Sequence, residues 1–314
     1  MRQIVLLFVT FLSFSATASP PIAPTDLVRS GDSYFSLTPS VTRMDIDSEI
    51  TYLSSGTVLR VSGKGESQST DLNYSYGLSN VSTVSLQIEH VANSQTEFDA
   101  SASGYQAKFR GAEKGLGDAK LLYVTLLTDS NNHRVVLGAS ASFPVGDDDP
   151  GQPEIIENGT KTQDLKQGGA STGMTDYAAG AAWSYKTSDI TPYSLLKYTI
   201  SGSKTENGEK KAPGDEILLN LGAVKYINDK SDLNLAFMYN YSFTGKSGDT
   251  KSLPYSGLGF SATYYLHASK DISIAGTAGY GFFDNIKEED NVAGTKEVWS
   301  SSGTTLGLSI IFAM

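Results

Sequence analysis

The sequence predicts an all-β protein, a transmembrane antiparallel β-barrel of about twelve strands. Three observations carry that expectation: strands with one face of large apolar residues, an export signal at the start, and short turns alternating with long connections. The first is plainest between Asp232 and Thr244. Leu233, Leu235, Phe237, Tyr239, Tyr241 and Phe243 share one strand face, against Asn234, Ala236, Met238, Asn240 and Ser242 on the other. A strand face of Leu, Phe and Tyr, repeated along the chain, suits lipid.

Arg2 opens the chain with a positive charge, Ile4 to Phe14 is an apolar run broken by Thr10 and Ser13, and Ala16-Thr17-Ala18 reads as a cleavage site before Ser19. The run is shorter than the roughly 18 apolar residues of a spanning helix, so residues 1–18 read as a secretory signal peptide. No Cys follows the cleavage site, which excludes a lipoprotein anchor. Beyond it no apolar stretch is long enough for a transmembrane helix. The mean hydropathy of -0.20 and apolar content of 39% fit a soluble protein and a barrel equally, because only alternate barrel residues meet lipid. The absence of Cys removes disulfides and thiolate chemistry. A net charge of -10 argues against a nucleic-acid partner.

Tight turns are expected at 77–80, 130–133, 188–190, 228–231 and 268–270, and long polar connections around 46–60, 94–116, 146–172, 203–214, 245–254 and 284–297. Short turns belong on the periplasmic side and long loops outside. Five turns and six loops join twelve strands of about 10–15 residues, with both chain ends periplasmic. Alternation recurs strand by strand. Val135, Leu137, Ala139 and Phe143 oppose Arg134, Gly138, Ser140 and Ser142; Tyr177, Ala179, Ala181, Trp183 and Tyr185 oppose Asp176, Ala178, Gly180 and Ser184. Leu258, Phe260, Ala262, Tyr264 and Leu266 oppose Gly257, Gly259, Ser261 and Thr263; Leu306, Leu308, Ile310 and Phe312 oppose Gly303, Thr305, Gly307 and Ser309. Leu121 to Leu127 and Ile217 to Val224 are apolar on both faces, which fits either a soluble core or a covered part of a lumen. Tyr185, Tyr226, Tyr264, Tyr280, Phe282 and Trp299 lie near strand ends, as interfacial aromatic girdles would require.

The domain organisation expected is therefore a signal peptide over 1–18, an N-terminal periplasmic segment over 19–32, and the barrel over 33–314. Pro20 to Ser33 contains three prolines and no clean alternation. Two readings fit it: a plug in the periplasmic mouth, or a loose leader.

The inward faces are built of Gly, Ala, Ser, Thr and Asn, and such residues leave a barrel of this size unfilled. The lumen-lining candidates are Gln87, Glu89, Asp118, Lys120, Arg134, Lys197, Asn234 and Asn240. So few charges argue against a strongly ion-selective ring and for a path taken by neutral or weakly acidic organic molecules. In a wet lumen Asn240→Arg should be tolerated where Phe237→Arg is not. His90 falls on the lipid face with Val84, Leu86 and Ile88, where an outer-membrane lipid hydrolase would place a His beside a Ser. His133 and His267 sit at a turn and a periplasmic strand end. Asp147, Asp148 and Asp149 offer clustered carboxylates to a divalent cation. The spacing is not that of an EF-hand, and a solvated acidic rim, bridged through cations to lipopolysaccharide, is the plainer reading. No cofactor is expected.

One run carries a resemblance. Gly115-Leu116-Gly117-Asp118-Ala119-Lys120-Leu121 is followed by a strand, a turn, Val136 to Ser142, and Phe143-Pro144-Val145-Gly146-Asp147. It resembles the outer-membrane β-barrel family of phenol meta-pathway transporters, with a G-x-G-D strand and then an F/L-P-x-G-D strand end. Tyr76-Gly77-Leu78-Ser79-Asn80, Thr191-Pro192-Tyr193 with Tyr198, and Pro213-Gly214-Asp215-Glu216 are similar to further family segments, so the likeness runs roughly from 70 to 312. It implies a bacterial outer-membrane barrel through which small hydrophobic or aromatic compounds pass. The partners are then the lipid bilayer with its lipopolysaccharide, the outer-membrane assembly machinery, and a small-molecule solute. Such barrels end on an aromatic residue read by that machinery, whereas here Phe312 is followed by Ala313-Met314. Physical reasons exist for the motif residues: Gly115 and Gly117 allow a bulge, and Pro144 ends a strand. Asp118 and Lys120 share a face and form either a lumen pair or a solvated pair at a bend. The expected function is passive uptake, not catalysis; the other reading kept open is a structural or surface-recognition barrel working through its loops.

Overall fold

Inside a bilayer every backbone N–H and C=O needs a partner from the protein itself, and a sheet satisfies this only by closing. The computed structural model describes residues 23–102, 104–149, 151–206, 209–247, 250–290 and 294–314. Twelve antiparallel strands follow in chain order: β1 (Ser33–Tyr52), β2 (Thr57–Ser79), β3 (Ser82–Ala102), β4 (Tyr105–Ser130), β5 (His133–Pro144), β6 (Asp176–Tyr185), β7 (Ile190–Ile200), β8 (Glu216–Asn228), β9 (Ser231–Ser242), β10 (Tyr255–His267), β11 (Ile272–Asp290) and β12 (Thr295–Ala313). Each pairs with the next, and β12 returns to β1 from Tyr34↔Ala313 to Tyr52↔Thr295, which closes the barrel. Ser33 and Met314 exchange backbone hydrogen bonds at 3.0 and 2.8 Å, so both ends of the barrel sit at the short-turn rim.

The two faces separate as the alternation predicts. Phe260, Leu235, Leu306 and Leu308 are exposed outward, and Phe237 packs beside Phe260 with tilted rings whose centroids are 5.1 Å apart. Inward, hydroxyl pairs bridge neighbouring strands: Thr38–Ser309 at 2.8 Å, Thr42–Thr305 at 2.9 Å, Ser75–Ser85 at 2.8 Å and Thr263–Thr277 at 3.0 Å. A lumen of small polar residues thus satisfies much of its own hydrogen-bonding capacity, strand to strand.

The walls are unequal in height, and this corrects three expected loops. The described residues of 46–60, 94–116 and 284–297 are mostly strand: β1 runs to Tyr52 and β2 starts at Thr57, β3 runs to Ala102 and β4 starts at Tyr105, and β11 runs to Asp290 and β12 starts at Thr295. Strands of 20, 23, 21 and 26 residues in β1–β4 exceed the expected length. Above the lipid band the outward face turns charged and the inward face turns apolar, and the polar composition of the outer face disguises that as loop. Asp45, Lys64, Glu97, Arg110 and Glu154 form one row across five neighbouring segments, alternating in sign. Inside the same wall Met44, Ile46, Val61, Phe98, Tyr255, Phe283 and Trp299 make the largest apolar cluster. Gly63 lies opposite Phe98, whose ring covers the space a Cβ would take.

The wall from β5 to β10 is lower, and short hairpins raise it. β5 meets β4 only as far as Asp118↔Pro144, so the upper edge of β4 pairs instead with Glu154–Glu157, part of a hairpin completed by Thr160–Gln163. Hairpins Lys204–Glu206 with Glu209–Ala212, and Gly245–Ser247 with Thr250–Ser252, pair with each other, and the second pairs with β11. Gly115 has φ +118° where the β3–β4 register slips, as the motif's glycines require.

Two aromatic assignments change. Tyr226 points inward and shares a hydrogen bond with Thr191 at 3.1 Å, and Trp299 belongs to the upper inner cluster. Tyr264 and Tyr280 are outward, as expected of a girdle. The expected tolerance of Asn240→Arg is also withdrawn, because Asn240 is only 1% exposed and leaves no room for a guanidinium. Ser261, inward between Ala236 and Gly279, takes its place as the lumen control. Phe237→Arg should cost about 2–4 kcal/mol by placing a charge near the bilayer midplane, and Ser261→Arg less than about 1 kcal/mol. Unfolding in lipid vesicles, read by the gel shift of folded against heated protein, measures both; equal losses would show that the alternation does not face lipid.

Candidate functional site

The lumen is the feature that the whole barrel encloses, and residues 23–32 lie against its inner wall at the short-turn end, from β2 to β8. Ala23 packs with Tyr193 and Val224, and Thr25 and Val28 are buried. Thr25 hydrogen-bonds Ser184 at 2.6 Å, and the Val28 N–H donates to Thr83 at 2.9 Å. Lys186 donates to Asp26 at 2.6 Å, with Arg134 3.7 Å from the same oxygen. Ser30 then bridges to Gly77, whose N–H donates to Asp32 and whose carbonyl accepts from Gly31. A side chain at Gly77 would overlap the Arg29 carbonyl, which gives the Tyr-Gly-Leu turn a reason for its glycine. The same segment answers the two-faced strands: Val224 packs against Ala23, and Val124 lies beside Thr83, where the segment is tied. Residues 1–22, with the expected signal peptide and start of the leader, lie outside the described residues.

The structure places Gln87, Lys120, Lys197, Asn234 and Asn240 on the inward face, with Gln87 opposite Lys120 and with Lys197 and Asn240 in one row on either side of Leu218. Glu89 stands opposite Asp71, also inward. Arg134 is at the short-turn end, ion-paired with Asp129 and near Asp26, so it helps to hold residues 23–32. Asn234 accepts from the Tyr193 hydroxyl at 2.9 Å, a pairing across two strands that sequence alone does not show.

Asp118 does not pair with Lys120. It accepts hydrogen bonds from Ser171 Oγ at 2.6 Å, Thr172 N–H at 3.1 Å and Thr172 Oγ1 at 2.5 Å. The connection between β5 and β6 therefore folds inward and is pinned to the wall, with Ser171 and Met174 buried. Gly168–Gly169 adds a parallel pairing to Glu113–Lys114. The aspartate triplet stands in the same connection, and lysines meet two of its members. Lys166 lies 2.5 Å from Asp149 and Lys204 lies 3.3 Å from Asp148. Hydrogen bonding from Lys166, and then from the Gly151 N–H, holds the Asp149 carboxyl below its ordinary range. This clasp is therefore present at neutral pH and lost as pH falls through that lowered value. Among the described residues no group of three His, Cys, Asp or Glu side chains converges on a metal position.

His90 is exposed and stands opposite Thr70 and Leu116, so its register partners do not supply the Ser that a hydrolytic pair needs. His133 joins the periplasmic aromatic rim beside Tyr185, ring centroids 4.8 Å apart, and accepts from Trp183 Nε1 at 3.2 Å. His267 points inward, its ring 2.8 Å from both Asp232 and Ser273, and laces β9, β10 and β11 together.

Among solved structures, a Pseudomonas aeruginosa FadL homologue matches 89% of this chain and 90% of its own, with TM-score 0.50 and 9% identity. An outer-membrane channel from Pseudomonas putida F1 matches 93% of this chain and 98% of its own, with TM-score 0.54 and 12% identity. The P. putida toluene transporter TodX matches 91% of each chain, with TM-score 0.46 and 10% identity. At these identities the likeness is one of fold, that of bacterial outer-membrane barrels. No family model matches the sequence, and no curated protein matches it.

Two anchors can be tested without any assumption about function. Gly77→Val should displace residues 23–32, so that trypsin cuts after Arg29 in the folded barrel at least tenfold faster than in the parent. Asp118→Ala removes charged hydrogen bonds, each contributing about 1.5–3 kcal/mol, and should expose the 166–175 segment to the same protease. Unchanged cleavage in either variant would show that the anchor does not hold its segment.

Proposed function

We propose that this barrel is a passive outer-membrane channel for small hydrophobic or aromatic solutes, with residues 19–32 as the plug of its periplasmic end and residues 1–18 as the export signal. The observation that carries this reading is a lumen wall built largely of small side chains, with residues 23–32 held against it at the short-turn end through a few hydrogen bonds and ion pairs. A segment tied at single points can be displaced without breaking the barrel ladder, so a path can open while the fold persists. The motif resemblance and the fold shared with a P. putida channel support the same reading. The charged rows above the lipid band and the acidic connection 146–172 fit contact with lipopolysaccharide. Insertion by the outer-membrane assembly machinery belongs to the same proposal, as does a non-catalytic role.

Purified protein in planar bilayers should show small conductance, and deletion of residues 19–32 should raise it severalfold. Liposomes containing the full chain should take up toluene faster than empty ones. If neither form conducts and neither passes toluene, the channel reading fails. Binding of a surface partner through 146–172, abolished by deleting 150–170 with permeation unchanged, would favour the recognition barrel.

A further inference from the structure

The charges of the lumen do not balance strand by strand. On the wall from β4 to β8 they offset one another. Lys120 shares a row with Asp176 through Ser142, and the negative neighbours of Lys197 are Glu216 and Asp176. On β2 and β3 the offset is missing. Asp71 and Glu89 stand directly opposite each other on the inward face. Cross-strand partners hold their Cβ atoms about 4.5–5.5 Å apart, so the two carboxyl groups share one patch of wall.

Every side of this pair is neutral or negative. Asp71 is 3% exposed, and its Oδ1 has no hydrogen-bond partner among the described residues. Gln87 hydrogen-bonds the Asp71 carboxyl and Ser69 that of Glu89, and neither brings a charge. From β1 the pair is faced by Thr38, which shares a hydrogen bond with Ser309 at 2.8 Å. From β4 it is faced by Gly117, where an added Cβ would lie 3.6 Å from Glu89 Oε2. The charges that act on Glu89 are those of Asp71 and Asp118, both negative. Lys120, opposite Gln87, is the nearest cation in register, and the carboxylate that acts on it is Asp176, on the side away from Glu89. Two adjacent carboxylates in a wall of low dielectric are costly unless a cation offsets them. These strands supply none, so the offset comes from the lumen.

We infer that Asp71 and Glu89 form a cation-selecting site, which draws small monovalent cations and organic ammonium ions into the lumen and turns anions away. The inference deepens the channel reading and rests on it for conduction. Among the described residues no third carboxylate or imidazole converges to complete a metal shell, so the cation is held by charge and stays exchangeable. The sequence pointed to neutral or weakly acidic solutes, and of these the weak acids are the ones that this wall repels.

The test measures reversal potentials across planar bilayers holding the full-length protein under a potassium chloride gradient, at mildly alkaline pH to ionise the carboxyl groups. Potassium should pass about tenfold more readily than chloride, the low end of what a cleft lined by one sign of charge achieves. Asp71→Asn combined with Glu89→Gln keeps both shapes and should bring the ratio to within about twofold of unity. Asp47→Asn, which removes a carboxylate from the outer face of β1, should leave the ratio unchanged. Should the double variant fail to fold by gel mobility, Glu89→Gln alone should at least halve the ratio. In liposomes holding the parent, benzyltrimethylammonium should enter faster than benzenesulfonate, two permanent ions that lipid alone excludes. Equal permeabilities in the parent, or a preference that survives the carboxamide variants, would overturn the inference and leave the channel. Toluene uptake without passage of either ion does the same. Passage of no ion and no toluene removes both the site and the channel.

Discussion

The structure depends on one constraint, that no backbone polar group can be left unpaired in hydrocarbon. Closure of β12 onto β1 meets it, and the rest follows from that closure. A closed sheet has an inside and an outside, so the period of two that every strand obeys becomes a sorting of side chains into lipid and lumen. The five short turns keep strands adjacent in order. The six outer connections are free to lengthen, because none has to carry the ladder through the bilayer.

Above the membrane the same sheet faces water on its outer side, and the chemistry of its outward residues changes while its geometry does not. The row from Asp45 to Glu154 alternates in sign across five segments, with Arg110 3.4 Å from both Glu97 and Glu154. Exposed pairs of this kind contribute little each, of order 0–1 kcal/mol, so the row is better understood as keeping a tall wall hydrated and in register than as its source of stability. That stability comes from the inner cluster around Phe98 and Trp299, which gives the extended strands a core of their own. The shorter β5 strips β4 of its neighbour, and the hairpin at Glu154–Glu157 covers the edge that results.

Within the lumen, two segments depart from the wall and return to it. Residues 23–32 are tied along the inner wall at the short-turn end, and the connection before β6 is drawn in to Asp118. Both are held by side-chain hydrogen bonds rather than by long ladders, so their local stability is set well below that of the barrel.

The sequence by itself determined the class of the fold, the strand number, and the facing of most residues in β5, β6, β9, β10 and the lower part of β12. Those strands are half in lipid and half in a polar lumen, and that contrast is written into every second residue. It also marked Gly115 as a point of backbone irregularity and Pro144 as a strand end. It did not show that β1–β4 and β11–β12 continue far beyond the lipid band. There the environment of the outer face is water, and a charged outer residue reads as loop whether the backbone is extended or not. Which partner each inward polar residue takes was decided by tertiary structure alone. Asp118 meets Ser171 and Thr172 rather than Lys120, Asn234 meets Tyr193, and Asn240 meets nothing among the described residues. Facing is a property of one strand and repeats along it, whereas pairing across a lumen depends on shear, strand tilt and the path of segments distant in sequence, none of which has a local signal.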